Sequence, residues 1–198
     1  MDNKDIHKMI KKRLHIREFD NLPYGSGRRY TRNNLAELYK ELGFKRGAEI
    51  GVRRGRYSRI LCNANPDLFL YCIDPWSGYS NKYTDQKQEK IYQEAVKNLK
   101  DLNVEIIRKS SMDALADLKN ESLDFIFIDG NHQYDYVAPD IIYWSKKVKS
   151  GGVVSVHDYY SFGLSGVVEA VNGYVKSHHI DPWYVTKELE PTAYWVKP

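Results

Sequence analysis

Short apolar runs alternate along most of this chain with stretches in which apolar residues recur at helical spacing. Five runs, beginning near residue 47, are each followed by such a helical stretch, which predicts alternating strands and helices. The predicted strands are 47–52, 68–73, 104–107, 123–128 and 151–156. Two further runs flank a Glu-Pro turn and predict a terminal hairpin. The pattern predicts an α/β fold with a mainly parallel, doubly wound sheet, helices on both faces and an antiparallel edge.

The N-terminal residues do not follow this alternation. Residues 5–14 place apolar side chains at helical spacing among lysines, which predicts a short basic amphipathic helix. Residues 21–29 are rich in turn formers and predict a flexible connection. We expect a helical arm over residues 1–30, either a lid over the substrate or an arm packed on the domain, followed by one domain over residues 31–198.

The strand predicted at 123–128 ends abruptly in polar side chains. Asp129 and His132 follow it directly, and His157 and Asp158 follow the next strand in the same way. Ligands of open α/β sheets bind beyond the carboxyl ends of the strands, so these side chains are candidates for chemistry in one crevice. The alternative is an ordinary Asp-Gly turn that closes a buried strand.

The first predicted strand ends in a turn that contains two glycines. Gly51 would let the backbone turn sharply beside a ligand, and Gly55 would let the following helix pack closely. This spacing differs from that of dinucleotide sites, and Glu49 argues against a bound pyrophosphate. Asp74 closes the next strand at a distance suited to a carboxylate that binds ribose hydroxyls. The pair of turns therefore favours an adenosine without a diphosphate.

Composition narrows the class of protein. The 198 residues, 42% of them hydrophobic and 28% charged, are typical of one globular domain, and the net charge of +4 is too small to indicate a nucleic-acid binder by itself. Cys62 and Cys72 show neither metal-ligand nor redox spacing. No stretch approaches the roughly 20 apolar residues of a membrane span, and no apolar signal region opens the chain. We expect a cytoplasmic protein with no membrane partner.

Together these motifs resemble the class I S-adenosylmethionine-dependent methyltransferases, in particular the small metal-dependent branch that methylates sugars and natural products. The resemblance covers residues 48–160 and rests on the segments 49–55, 128–132 and 151–159. It implies a Rossmann-like, seven-stranded sheet in the order 3-2-1-4-5-7-6, with the last strand antiparallel and a helical N-terminal extension. It also implies S-adenosyl-L-methionine as cofactor and the hydroxyl of a small molecule, a sugar or glycosylated metabolite, as acceptor.

The same resemblance assigns residues to the cofactor. Those it implies are Glu49, Gly51 and Gly55 at the methionine moiety, Asp74 at the ribose, Ser111 and Met112 at the adenine, and Asp129 facing the cofactor from the neighbouring strand. The chain has Ser110 where the family often has an acid. Recognition of the adenine is therefore the part of the site that the motifs specify least.

Methyl transfer to a hydroxyl needs a base, and often a cation that lowers the pKa of that hydroxyl. The resemblance implies His132 as the base, with Asp129 and His157 as further candidate catalytic residues. It implies Asp129, His157 and Asp158 as ligands of magnesium or manganese. An imidazole at 157, where relatives tend to carry a carboxylate, suits manganese, iron or zinc better than magnesium. Without a metal, either histidine would act alone as the base, oriented by Asp129 or Asp158.

Two other classes of function stay open at this point. The basic N-terminal helix and an arginine cluster, Arg53, Arg54, Arg56 and Arg59, are compatible with a nucleic-acid methyltransferase or binding module, or with an ordinary solvated helix face. A non-catalytic protein that only binds the cofactor is the other class. The sequence is compatible with a homo-oligomer but carries no signal for one.

Overall fold

The structure, a computed structural model, describes residues 2–15, 23–25 and 30–198. The strands are β1 (Tyr24–Gly25), β2 (Arg46–Ile50), β3 (Phe69–Ile73), β4 (Val104–Ile107), β5 (Leu123–Ile128), β6 (Val148–Val156), β7 (Trp183–Val185) and β8 (Ala193–Val196). The α-helices are α1 (Asn3–Leu14), α2 (Arg32–Glu41), α3 (Arg56–Ala64), α4 (Asp85–Leu99), α5 (Ser111–Ala114), α6 (Tyr134–Trp144) and α7 (Val167–Ser177).

All eight strands form one sheet in the order β1-β7-β8-β6-β5-β2-β3-β4. β8 runs antiparallel to both of its neighbours, β6 and β7, and the other strand pairs are parallel. The predicted doubly wound fold, strand order and antiparallel last strand are confirmed. The count of seven strands is corrected to eight, because the two residues of β1 pair with β7 at the sheet edge.

The sheet is buried on both faces because side chains of its central strands alternate between two apolar layers. Along β5, Phe125 and Phe127 belong to the layer formed with α1, α2, α3 and α4, whereas Ile126 and Ile128 belong to the layer formed with α6 and α7. Phe125 stacks on Tyr39 of α2 with ring centroids 4.0 Å apart. This two-sided burial explains why five of the six residues of β5 are apolar.

Helix α1 packs on the domain. Ile6, Ile10 and Leu14 are buried in the layer that also contains Tyr184 of β7, and the His7 ring nitrogen Nδ1 lies 2.9 Å from the Tyr184 hydroxyl. The predicted connection at 21–29 is described only at residues 23–25, so a lid role for it stays a prediction. Among the described residues, no helix is both long and apolar enough to cross a bilayer.

Gly47 of β2 offers a direct test of this packing. A Cβ atom there would lie well under 3.0 Å from three ring atoms of Phe125. We expect Gly47→Ala to lower the free energy of unfolding by about 1–3 kcal/mol or more, because the Phe125 ring is held between other side chains. Urea unfolding measures the change. The matched control is Gly173→Ala in α7, where nothing lies within 4 Å and alanine should stabilise the helix by up to about 1 kcal/mol. A Gly47→Ala variant as stable as the parent protein would contradict the packing described.

Candidate active site

The ends of β5 and β6 bring four polar side chains together. Parallel pairing continues one residue past the strands, since the Asp129 N–H donates to the Ile50 carbonyl at 2.8 Å and the His157 N–H donates to the Ile128 carbonyl at 2.9 Å. Asp129 therefore lies beside His157. Asp158 follows at once, in the left-handed conformation with φ 59°, which is uncommon for a residue other than glycine. Such a backbone at a strand end is a feature of functional sites.

In this cluster the two imidazoles face the two carboxylates. The His132 Nε2 atom lies 2.9 Å from Asp158 Oδ2 and 3.5 Å from Asp129 Oδ1. The His157 Nδ1 atom lies 3.2 Å from Asp158 Oδ1 and 3.6 Å from Asp129 Oδ1. The structure thus groups all four candidate residues at one edge of the sheet.

These contacts shift the protonation of the cluster. Hydrogen bonding to Asp129 and Asp158 raises the pKa of His132 to about 9. Burial alone would raise the pKa of either acid, but the two histidines lower both pKa values below the usual range for aspartate. At neutral pH, in the absence of other ligands, both acids are ionised and His132 carries a positive charge.

Arg32, at the start of α2, is a fifth member of the cluster that sequence reasoning missed. Its Nη1 atom lies 3.0 Å from His157 Nε2 and 3.6 Å from Asp129 Oδ2. A guanidinium can only donate hydrogen bonds, so His157 Nε2 must accept and the proton of His157 is on Nδ1, facing the acids. Burial lowers the pKa of His157, but the contacts with Asp129 and Asp158 outweigh it and raise that pKa to about 9, whereas the hydrogen bond from Arg32 exists only while the ring is singly protonated. The two residues are 125 positions apart in the sequence, and no sequence motif indicates that they are in contact.

The end of β2 holds Glu49 in a buried position. Glu49 is 1% exposed and accepts a hydrogen bond from the Ser58 hydroxyl of α3. Burial raises the pKa of Glu49 to about 8, although the bond from Ser58 lowers it, and the nearby charge of Asp129 adds to the rise. A buried carboxyl of this kind gains from a cationic partner.

Asp74, at the end of β3, is fixed by backbone donors. Its two carboxylate oxygens accept from the N–H groups of Arg53 and Trp76, both at 2.9 Å. Each oxygen keeps a lone pair for another donor. Asp74 and Glu49 thus lie at neighbouring strand ends, because β2 pairs with β3 in register.

Neighbouring protein atoms leave no room for a side chain at either glycine of the turn. A Cβ on Gly51, whose φ is 89°, would lie well under 3.0 Å from the Asp129 carbonyl oxygen, so this glycine lets β2 and β5 end in contact. Gly55, with φ 70°, comes before α3, and a Cβ there would lie 2.9 Å from Leu99 of α4. The close packing expected at Gly55 is therefore between helices and not against the strand.

The two residues expected at the adenine lie at the start of α5. Met112 is 37% exposed, and the Ser111 hydroxyl donates to Oδ1 of Asp140 in α6. Asp140 is 3% exposed, and burial raises its pKa to about 6 although the bond from Ser111 lowers it. Sequence reasoning did not identify Asp140, because an acid in an amphipathic helix is usually solvated.

Glu49 gives a pH-dependent prediction. Because its pKa is about 8 in the folded protein and near 4.5 in an unfolded chain, the folded state holds a proton that the unfolded state has released between these values. Stability contributed by this group therefore falls as pH rises through that window. We expect Glu49→Gln to be more stable than the parent by at least about 2 kcal/mol near pH 8.5, with the difference shrinking towards pH 5. Urea unfolding without cofactor measures it, and the exposed Glu105→Gln is the matched control. A difference that does not change with pH would contradict the assignment.

Comparison with known sequences identifies the family. A family model described as a methyltransferase domain matches residues 48–159, more than half of the 198 residues. An uncharacterized protein of Sinorhizobium fredii is 28% identical over 120 residues, and one of Acanthamoeba polyphaga mimivirus is 34% identical over 92 residues. These matches cover 58% and 43% of this chain but only 13% and 42% of the two relatives, so the chain corresponds to less than half of either relative.

Solved structures share the fold at low identity. An O-methyltransferase from Bacillus cereus in complex with S-adenosylhomocysteine is 17% identical with a TM-score of 0.63, over 98% of this chain and 90% of that one. The O-methyltransferase TomG from Streptomyces achromogenes, in complex with S-adenosylmethionine, is 16% identical with a TM-score of 0.60, over 100% and 92%.

Spermidine synthase from Thermotoga maritima also has this fold, at 13% identity and a TM-score of 0.61 over 85% and 60% of the two chains. A shared fold therefore does not by itself identify the reaction that a protein catalyses. The match to the family model identifies the class and confirms the resemblance to methyltransferases seen in the sequence motifs: this chain belongs to the methyltransferase domain family.

Proposed function

We propose that this protein transfers the methyl group of S-adenosylmethionine to a hydroxyl of a small molecule, with a sugar or glycosylated metabolite as the acceptor class. The observation that carries the proposal is the grouping of His132, Asp129 and Asp158 beside the turn that contains Gly51. An imidazole between two carboxylates can accept a proton from a hydroxyl and hold it. Family membership supports the reaction class, and the cofactors bound in the Bacillus and Streptomyces structures support the methyl donor.

The residues of the turn suit the parts of such a cofactor. When bound, the cofactor supplies a methyl group on a positively charged sulfur. Glu49 is buried with one hydroxyl donor, so an ammonium or sulfonium nearby would stabilise its ionised form. Asp74, oriented by two backbone N–H groups, is a fixed acceptor for the ribose hydroxyls. Asp129 faces the same turn across the contact with Gly51.

His132 is the base in this proposal. Its Nε2 atom is buried against Asp158 and Asp129 and carries the N–H that faces them, so Nδ1 takes the hydroxyl proton, and the two carboxylates stabilise the resulting imidazolium. The same carboxylates keep His132 protonated in the free protein. Any cation held by Asp129 and Asp158 would compete for them, lower the pKa of His132 and free the imidazole to act as a base.

The cluster has features that fit a divalent cation. His132 Nε2, His157 Nδ1 and Asp158 Oδ1 are buried without a well-directed hydrogen-bond partner among the described residues. Ligand atoms of Asp129, His132 and Asp158 lie within 4.8 Å of one another. A cation there would lower the pKa of the acceptor hydroxyl. Asp129 and Asp158 are the ligands we propose, since cations such as magnesium are commonly bound through one or two carboxylates.

The third ligand implied by the resemblance, His157, stays a prediction. Its Nδ1 atom faces both acids, but the hydrogen bond from Arg32 leaves the ring proton on that atom. Binding a metal through Nδ1 would require an imidazolate. We therefore propose that His157 mainly positions the two acids.

The nucleic-acid alternative gains no specific support from the described residues. Arg13 of the basic N-terminal helix contacts Glu37 and Glu41 of α2, and Arg54 of the arginine cluster pairs with Glu94 at 2.7 Å. These pairs neutralise part of the positive charge that made nucleic acid a candidate partner. A small-molecule acceptor remains the proposal.

The cofactor assignment predicts the outcome of calorimetric titration. We expect S-adenosylhomocysteine to bind the protein and NAD not to bind. Asp74→Asn should weaken S-adenosylhomocysteine binding by about tenfold or more, because an amide accepts fewer hydrogen bonds from the ribose hydroxyls. Asp67→Asn is the matched control, since the Asp67 side chain is 74% exposed and pairs with Lys45. Binding of NAD alone would contradict the assignment.

The role of His132 predicts a split between binding and turnover. We expect His132→Ala to bind S-adenosylhomocysteine as the parent does and to lose about 100-fold or more in turnover with sugar or glycoside acceptors. Release of S-adenosylhomocysteine from a panel of such acceptors measures it, and exposed His178→Ala is the control. Full turnover in His132→Ala would remove His132 from this role. Turnover that a chelator leaves unchanged would favour the metal-free acid and base arrangement.

A further inference from the structure

Asp140 is a buried acid that the proposed reaction does not use. It lies in α6, with 3% of its surface exposed, and its Oδ1 atom accepts from the Ser111 hydroxyl. Its Oδ2 atom has no hydrogen-bond partner among residues 2–15, 23–25 and 30–198. Most of the Asp140 side chain is buried, but Oδ2 itself is not fully enclosed by protein, so a donor from outside the protein can reach it.

Gly130 lies next to Asp140 Oδ2 and has no side chain that could cover it. A Cβ at Gly130 would lie 3.7 Å from Asp140 Oδ2, so any side chain there would stand beside the carboxylate. Gly130 directly follows Asp129 at the end of β5, and Ser111 begins α5 just beyond β4. Asp140 Oδ2 therefore lies between two strand ends, at the edge of the sheet that holds Glu49, Asp74 and the acid cluster.

The charge of Asp140 favours a ligand that donates a hydrogen bond. One hydroxyl donor does not offset its burial, which raises the pKa of Asp140 to about 6. An N–H donor on Oδ2 would stabilise the ionised form. Asp113, the other acid near Ser111, is exposed and already accepts from the Ser110 hydroxyl at 2.6 Å.

The donors of the proposed cofactor are an ammonium group, two ribose hydroxyls and the exocyclic amino group of adenine. Glu49 and Asp74 suit the first two, as described above. We propose that Asp140 Oδ2 accepts a hydrogen bond from the adenine amino group and so selects adenine over a 6-oxopurine. This inference rests on the proposed function. It assigns recognition of the adenine base to an acid of α6, whereas the positions just beyond β4 carry serines, Ser110 and Ser111.

The test compares two ligands that differ in the C6 substituent of the purine and at the neighbouring N1, which is an acceptor beside the amino group and an N–H donor beside the oxo group. S-adenosylhomocysteine carries the amino group, and S-inosylhomocysteine carries an oxo group that cannot donate. We expect the parent protein to bind the adenine ligand at least about tenfold more tightly by calorimetry. In Asp140→Asn the side-chain amide can donate to the oxo group, so the preference should fall to about threefold or less, or reverse.

Asp135→Asn is the matched control, because Asp135 is an exposed acid in the first turn of the same helix. It should keep the preference of the parent. If Asp140 only anchors Ser111, Asp140→Asn will weaken both ligands equally and leave the preference unchanged, which would overturn the inference.

Equal binding of the two ligands to the parent protein would also overturn the inference. This measurement uses only the parent protein, so it does not depend on the folding of any variant. Binding of both ligands without preference leaves the proposed function standing. Binding of neither would overturn the proposed function together with the inference.

Discussion

Backbone pairing that continues one residue past β5 and β6 is the constraint on which the site depends. The bonds from Asp129 to Ile50 and from His157 to Ile128 bring three strand ends into line. Gly51 makes this alignment sterically accessible, because any side chain there would collide with the Asp129 carbonyl group. The turn proposed for the cofactor and the cluster proposed for the chemistry are thus held together by one set of hydrogen bonds.

Charge balance then determines how the cluster behaves. Two ionised acids are stabilised by His132, His157 and Arg32, none of which is more than one-third exposed at its side chain. Arg32 belongs to α2, outside the segment matched by the family model, so docking of the N-terminal helices completes the electrostatics of the site. A cation bound to the acids would therefore lower the pKa of His132, because the same acids raise it in the free protein.

Sequence patterns predicted the central sheet because each central strand is buried on both faces and each is followed by an amphipathic helix. β1 was missed since two residues show no periodicity, and its pairing depends on β7 far along the chain. Arg32 and Asp140 were missed for a related reason: each is a polar residue in a helix, and only tertiary packing brings it into contact with residues at or beyond the strand ends. The clustering of Asp129, His132, His157 and Asp158 was predictable because strand ends of a parallel sheet meet at one edge.

The central claim is that the turn around Gly51 and the acid cluster form a single site. A crystal structure with S-adenosylhomocysteine and manganese, using the anomalous signal of the metal, tests it most directly. The account predicts the homocysteine sulfur facing His132 and an anomalous peak between Asp129 and Asp158. A ligand whose sulfur points away from His132, with manganese bound elsewhere or not at all, would contradict it.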